Sequence, residues 1–148
     1  MNKGKATEKR TIDMAERYLY PCDVIRLPDK YDTGNYEDIR PSDLIVVVKG
    51  RTYYIECKET AGVANPRFDF SCLSKGQIGG MLKAAKTDSP YAVVFCHLKS
   101  QCYYIIPAKE ILAARDQGKK SFSFKELQSF LTDTSNKDEF IQALHGRP

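Results

Sequence analysis

The chain contains no run of 18 apolar residues, so nothing in it reads as a membrane-spanning helix, and no membrane partner is expected. Its first ten residues, Met1 to Arg10, are charged and polar where a secretion signal needs an apolar stretch. The reading is a soluble protein that stays where it is made, in the cytoplasm: nucleoid-associated, or in the host cytoplasm if the source is viral. It also lacks a CxxC pair, and its five cysteines (Cys22, Cys57, Cys72, Cys96, Cys102) are odd in number. Both facts argue against a disulfide framework or a zinc site and predict a reducing compartment, with most of the cysteines acting as small buried apolar residues. A strong charge of one sign is missing as well. Against 23 basic residues stand 19 acidic ones, a net +4, which permits a nucleic-acid partner without demanding one. The small clusters Lys3, Lys5, Lys9, Arg10 and Lys119, Lys120 read, taken alone, as solvated surface lysines. No internal repeat or low-complexity tract is visible.

What is present is enough for one core. With 148 residues and 42% hydrophobic content, a single domain over residues 1–148 is expected. Ile12, Ala15 and Leu19 recur at helical spacing and predict a helix over 6–20, stopped by Pro21. A strand is predicted over 22–27, then a polar loop over 28–41. Residues 44–48 are a continuous apolar run, read as a strand buried on both faces, and 52–58 as its partner across a Lys49-Gly50 turn. A loop over 60–71 leads to a helix over 75–86, weakened by Gly79 and Gly80. Strands over 91–98 and 102–107 follow, with helices over 108–116, 124–131 and 137–144. This order predicts a mixed sheet flanked by helices, an α/β arrangement.

Charged residues sit at the ends of the apolar hairpin. If Lys49 and Gly50 form a two-residue turn, Val48 pairs with Arg51, and Asp43 falls opposite Glu56 on the same face. A three-residue turn would move Asp43 to Cys57 instead. Glu56 and Lys58, two apart on one strand, share a face. Two neighbouring carboxylates, partly desolvated, repel each other unless a cation neutralises them, and that cation is either Lys58 or a metal. A divalent ion bound by Asp43, Glu56 and the Cys57 carbonyl matches Mg²⁺, which uses few carboxylates and leaves other positions to water and phosphate; Mn²⁺ is the natural substitute. Lys58 beside it would steady hydroxide and the charge developing on a phosphate. The bland alternative is a strand-end salt bridge without metal.

The pattern "PSD" (41–43), twelve residues, then "ECK" (56–58) resembles the PD-(D/E)XK nuclease superfamily, which implies a restriction-endonuclease-like αβββαβ core. Within it, the chain is similar to Holliday junction resolvases of the archaeal Hjc and bacterial RecU types. "KGKATEK" (3–9) looks like the resolvase start, which implies Glu8 as a metal ligand. "IECKET" (55–60) is similar to the run around the catalytic lysine, and "RFDFSCLSKGQI" (67–78) to the segment that leads to a glutamine, which implies an active-site or DNA-contacting Gln77. The likeness spans about 3–107, leaving a C-terminal helical part, about 108–148, unassigned. Three departures bear on junction selectivity: Gly76 stands where RecU proteins usually have His, the 28–41 segment is short, and Lys9 stands where archaeal resolvases often have Arg.

The resemblance thus implies a Mg²⁺-dependent endonuclease that resolves four-way DNA junctions as a homodimer, with Asp43, Glu56, Lys58 and Gln77 catalytic. Glu8, Asp43, Glu56 and Cys57 would be the metal ligands, and Lys5, Lys9, Arg10, Arg51 and Arg67 are candidates for DNA contacts. The alternatives are a restriction-like or repair nuclease of the same superfamily, or a non-catalytic DNA-binding module that has kept the fold.

Overall fold

A computed structural model describes residues 4–28 and 40–146. The segment 29–39, most of the expected polar loop, lies outside the described residues.

Helix α1 (Lys5–Tyr18) leads into strand β1 (Asp23–Arg26), then the hairpin β2 (Leu44–Val48) and β3 (Arg51–Thr60). A two-residue strand, β4 (Phe68–Asp69), and a 3-10 turn (Phe70–Cys72) precede helix α2 (Lys75–Lys86). Strands β5 (Tyr91–His97) and β6 (Cys102–Pro107), helix α3 (Ala108–Asp116), strand β7 (Ser121–Phe122), the short helix α4 (Phe124–Leu127), strand β8 (Leu131–Thr132) and helix α5 (Lys137–His145) complete the order. Six strands form one sheet in the order β1-β2-β3-β5-β6-β8, while β4 and β7 pair separately as a two-stranded ribbon. All pairings are antiparallel except β3 with β5, which α2 joins by a crossover. The expected mixed sheet between helices, with further helices at the C-terminal end, is what the chain forms.

Alternation along the strands splits the core in two. On one face Ile55, Cys57, Val94, Cys96 and Ile105 pack with Ala15 of α1 and Phe140 and Leu144 of α5. On the other, Val93, Phe95 and Ile106 pack with Met81 and Ala84 of α2, Ile111 of α3 and the aromatic rings of the ribbon. Each of β5's residues is buried, as a central strand between two helical layers requires.

Strand β2 departs from expectation. Leu44 and Val46 are fully buried, but Val47 is exposed and Ile45 only half-buried, so β2 is covered on one face rather than two. It lies one strand from the sheet's edge, while α2 packs chiefly on the more central β5. The helix expected over 124–131 is shorter, ending as a 3-10 turn (Gln128–Phe130) before β8 joins the sheet beside β6. Only Cys57 and Cys96 of the five cysteines are buried; Cys72 is exposed. No described helix is long and apolar enough to cross a membrane.

Candidate active site

The hairpin turn decides the geometry. Lys49 and Gly50 have φ of 47° and 79°, the left-handed pair of a two-residue turn whose twist suits a hairpin. Val48 consequently pairs with Arg51 and Leu44 with Ile55. One step further along this register, Asp43 lies beside Glu56. The Asp43 backbone has left the ladder here, and its Oδ2 accepts the Cys57 N–H at 2.8 Å in place of a strand neighbour. Its Oδ1 pairs with Arg40 Nη1 at 3.2 Å.

Pro41, two residues before Asp43, is clamped from two sides. The Tyr91 hydroxyl donates to the Pro41 carbonyl, and Gly80 of α2 comes so close that a Cβ there would stand 2.7 Å from the same oxygen. The glycine that weakens the helix on propensity is what lets α2 approach this loop.

Glu56 and Lys58 point to the α2 face of β3, while Cys57 points to the α1 face. Glu56 is 2% exposed. Its Oε2 accepts from the Gln77 side-chain amide at 2.8 Å and lies 3.4 Å from Lys58 Nζ. Its Oε1 has no hydrogen-bond partner, alone among the buried side-chain oxygens and nitrogens of the described residues. Burial, and then the negative charge of Asp43, push the Glu56 carboxyl well above the usual range; the Lys58 and Arg40 charges oppose this without cancelling it. An unpaired oxygen on a buried carboxyl is costly unless a proton or a cation takes it.

Gln77 is held as firmly as it holds. It is the third residue of α2, and its Oε1 accepts the Ser74 N–H at 2.8 Å while Ser74 Oγ accepts the Gln77 N–H at 3.1 Å. This reciprocal cap leaves the amide NH₂ to face Glu56. Lys58 Nζ also donates to the Cys72 carbonyl at 2.9 Å. The start of α1 lies on the other side: a Cβ on Gly4 would stand 4.0 Å from the Cys57 carbonyl oxygen, which brings the positive end of the helix dipole beside the site.

The structure therefore brings together Asp43, Glu56, Lys58, Gln77 and the Cys57 backbone. Glu8 is buried on the first turns of α1 and forms an ion pair with Arg26 of β1. Among the described residues no three His, Cys, Asp or Glu side chains form a group fit for a metal. Two carboxylates with an unsatisfied oxygen, plus a backbone carbonyl, fit the sparse protein contribution that Mg²⁺ takes, so the donor set suits that ion and a richer cage is absent among those residues.

Of the residues expected to meet DNA, Lys5 and Lys9 lie on α1, and Arg10 bonds Gln101 and the Tyr103 hydroxyl. Arg67 is exposed and pairs with Asp69 at 3.1 Å. Arg51 sits at the hairpin turn against His145, seven residues along β3 from Lys58, hence roughly 23 Å away at strand rise. Sequence reasoning missed Arg40, Arg26 and Ser74. Ser74 had a signal, since Ser-x-x-Gln before a helix is a capping pattern.

Comparison with solved structures finds this fold. The Holliday junction resolvase Hjc from the archaeal hyperthermophile Archaeoglobus fulgidus matches with a TM-score of 0.51 over 72% of this chain and 78% of that one, at 14% identity. The chain has a restriction-endonuclease-like αβ core. At that identity the likeness is one of fold. No protein-family profile matches the chain, and no curated protein does.

Proposed function

We propose that the chain is a metal-dependent DNA nuclease of the PD-(D/E)XK kind, acting as one domain. The observation that carries this is the buried Asp43–Glu56 pair with an unsatisfied Glu56 oxygen, flanked by Lys58 at 3.4 Å. A Glu56–Lys58 salt bridge by itself accounts for neither the second carboxylate nor the orphaned oxygen, and a bound cation would account for both. Asp43, Glu56 and the Cys57 carbonyl would hold Mg²⁺, or Mn²⁺ in its place, with Glu8 supporting from α1. That ion supplies Lewis acidity toward the phosphate and the attacking water. Gln77 keeps Glu56 in place, and Lys58 sets a positive charge where negative charge grows during attack on the phosphodiester. Lys5, Lys9, Arg10 and Arg67 are the side chains for phosphate contacts, and Arg51 meets a more distant arm.

Within this reading the finer substrate is a four-way junction, cut by paired nicks from a homodimer; the fold shared with Hjc supports it. The broader reading, a nuclease for duplex, flap or single-stranded ends, needs only the site. A non-catalytic DNA-binding module is favoured by one observation, that no three-residue metal group exists among the described residues.

End-labelled junction and matched linear duplex, each with Mg²⁺ or EDTA, separate these. Symmetric junction nicks that vanish with EDTA and in Asp43→Asn support the resolvase. Metal-dependent cutting without junction preference keeps the nuclease alone, and binding with no cutting leaves the non-catalytic module.

A further inference from the structure

Lys58 Nζ has two acceptors within reach, and the nearer is not the carboxylate. Glu56 Oε2 lies at 3.4 Å and the Cys72 carbonyl at 2.9 Å. A lysine head on four rotatable bonds needs such a fixed partner to stay in one place. A backbone carbonyl has no rotamers of its own, so its position is set by whatever fixes its turn.

Here that is the ribbon. The turn Phe70–Cys72 closes on itself through the Leu73 N–H and the Phe70 carbonyl at 3.0 Å. It is tied outward by the Phe70 N–H, which donates to the Lys120 carbonyl at 2.9 Å. Strand β4, just before it, pairs with β7 through Phe68 with Phe122 and Asp69 with Ser121. Two strands of two residues have no stability alone. Aromatic packing supplies it: Phe70 and Phe122 meet edge to face at 5.1 Å, as do Phe68 and Phe95, and Phe122 touches Phe130 at 5.3 Å. Two residues beyond Cys72, Ser74 caps α2 and fixes Gln77. The turn and the helix cap that follows it therefore carry the fixed partners of Lys58 and Gln77 respectively.

We infer that strand β7 is a positioning element of the active site, with Phe122 and Phe70 as positioning residues that aim the Cys72 carbonyl at Lys58 Nζ. The inference rests on the nuclease reading for the chemistry Lys58 performs. It gives part of the region after Pro107 a task in catalysis, exerted through β4 and the turn.

The test has a readout independent of cleavage. Trace acetylation with acetic anhydride, followed by peptide mass spectrometry, gives the reactivity of Lys58 relative to the other lysines. It is measured on wild type, Phe122→Leu, Phe122→Ala and, as a control, Phe140→Leu. Phe140 is a fully buried ring on the opposite face of the sheet, packed on Tyr18 and unconnected to the ribbon. In the Phe122 variants the Lys58 ratio should rise several-fold, and kcat on the DNA substrate should fall by about tenfold or more with KM nearly unchanged. Phe140→Leu should leave the ratio where it was. If Phe122→Ala does not fold, Phe122→Leu carries the measurement. An unchanged Lys58 ratio in a folded Phe122 variant overturns the inference, and so does a raised ratio with kcat intact. Wild-type protein that cuts no DNA removes the nuclease reading, a failure distinct from either.

Discussion

Gln77 donates its side-chain amide to Glu56 Oε2 at 2.8 Å while its own amide oxygen accepts the Ser74 N–H at 2.8 Å. One side chain thus ties the start of α2 to the middle of β3, and Ser74 governs a carboxylate it never touches. Ser74→Ala should cost about 1 kcal/mol of stability through the lost cap. It should lower cleavage only slightly, because the Ser74 backbone N–H still holds the Gln77 side chain and only the first turn of α2 loosens. Ser74→Thr, which keeps the hydroxyl, should recover most of both, as urea unfolding and single-turnover cleavage would show.

Glu56→Gln should abolish cleavage and stabilise the protein at neutral pH. The folded chain holds the Glu56 proton more tightly than the unfolded chain does, since burial and Asp43 both disfavour the anion. Stability therefore falls as pH rises from the ordinary glutamate value, about 4.3, through the raised folded value, and levels off above it. In Glu56→Gln this decline should be absent while the bond from Gln77 has an oxygen to accept it. Thermal melts between pH 4 and 8 check the slope; a parallel decline in both proteins would contradict it.

Gly80→Ala should be harmful even though alanine is the better helix former. Its Cβ would meet the Pro41 carbonyl oxygen at 2.7 Å and Pro41 Cα at 2.8 Å, both backbone atoms with no freedom to turn aside. A loss of about 1–3 kcal/mol is expected from overpacking, with displaced Asp43 reducing cleavage further. Gly79→Ala meets nothing within 4 Å and should be neutral or mildly stabilising, an internal comparison in the same denaturant experiment.

A cation that settles on Asp43 and Glu56 binds the folded chain alone. Mg²⁺ or Mn²⁺ should raise Tm, approaching about 2.7 kcal/mol of stabilisation at a hundred times Kd. Asp43→Asn should lose the response. Melting curves with and without metal decide this without DNA, and equal shifts in both proteins would place the ion elsewhere.

The hairpin was legible because its turn chemistry and its register are local. Lys49-Gly50 supplies two left-handed residues, and counting outward from them sets Asp43 beside Glu56. Helices α2 and α3 start and end where periodicity and flanking residues put them. The two-residue strands were not legible: Phe68–Asp69 and Ser121–Phe122 are too short for any period, and they exist because distant aromatic rings meet. An apolar run such as Leu44–Val48 reads alike whether a helix covers its second face or not. Nor could spacing reveal that Arg40 would pair with Asp43, or that a backbone carbonyl would hold Lys58.

The Cys57 N–H deserves a spectroscopist's view. It donates to Asp43 Oδ2 instead of to a neighbouring strand, so this one amide in the middle of a sheet has a carboxylate for its acceptor. Its resonance would serve as an internal electrometer: a change of charge between the two carboxylates would alter the field along that bond. The backbone of the chain thereby carries a built-in reporter of the charge held between Asp43 and Glu56.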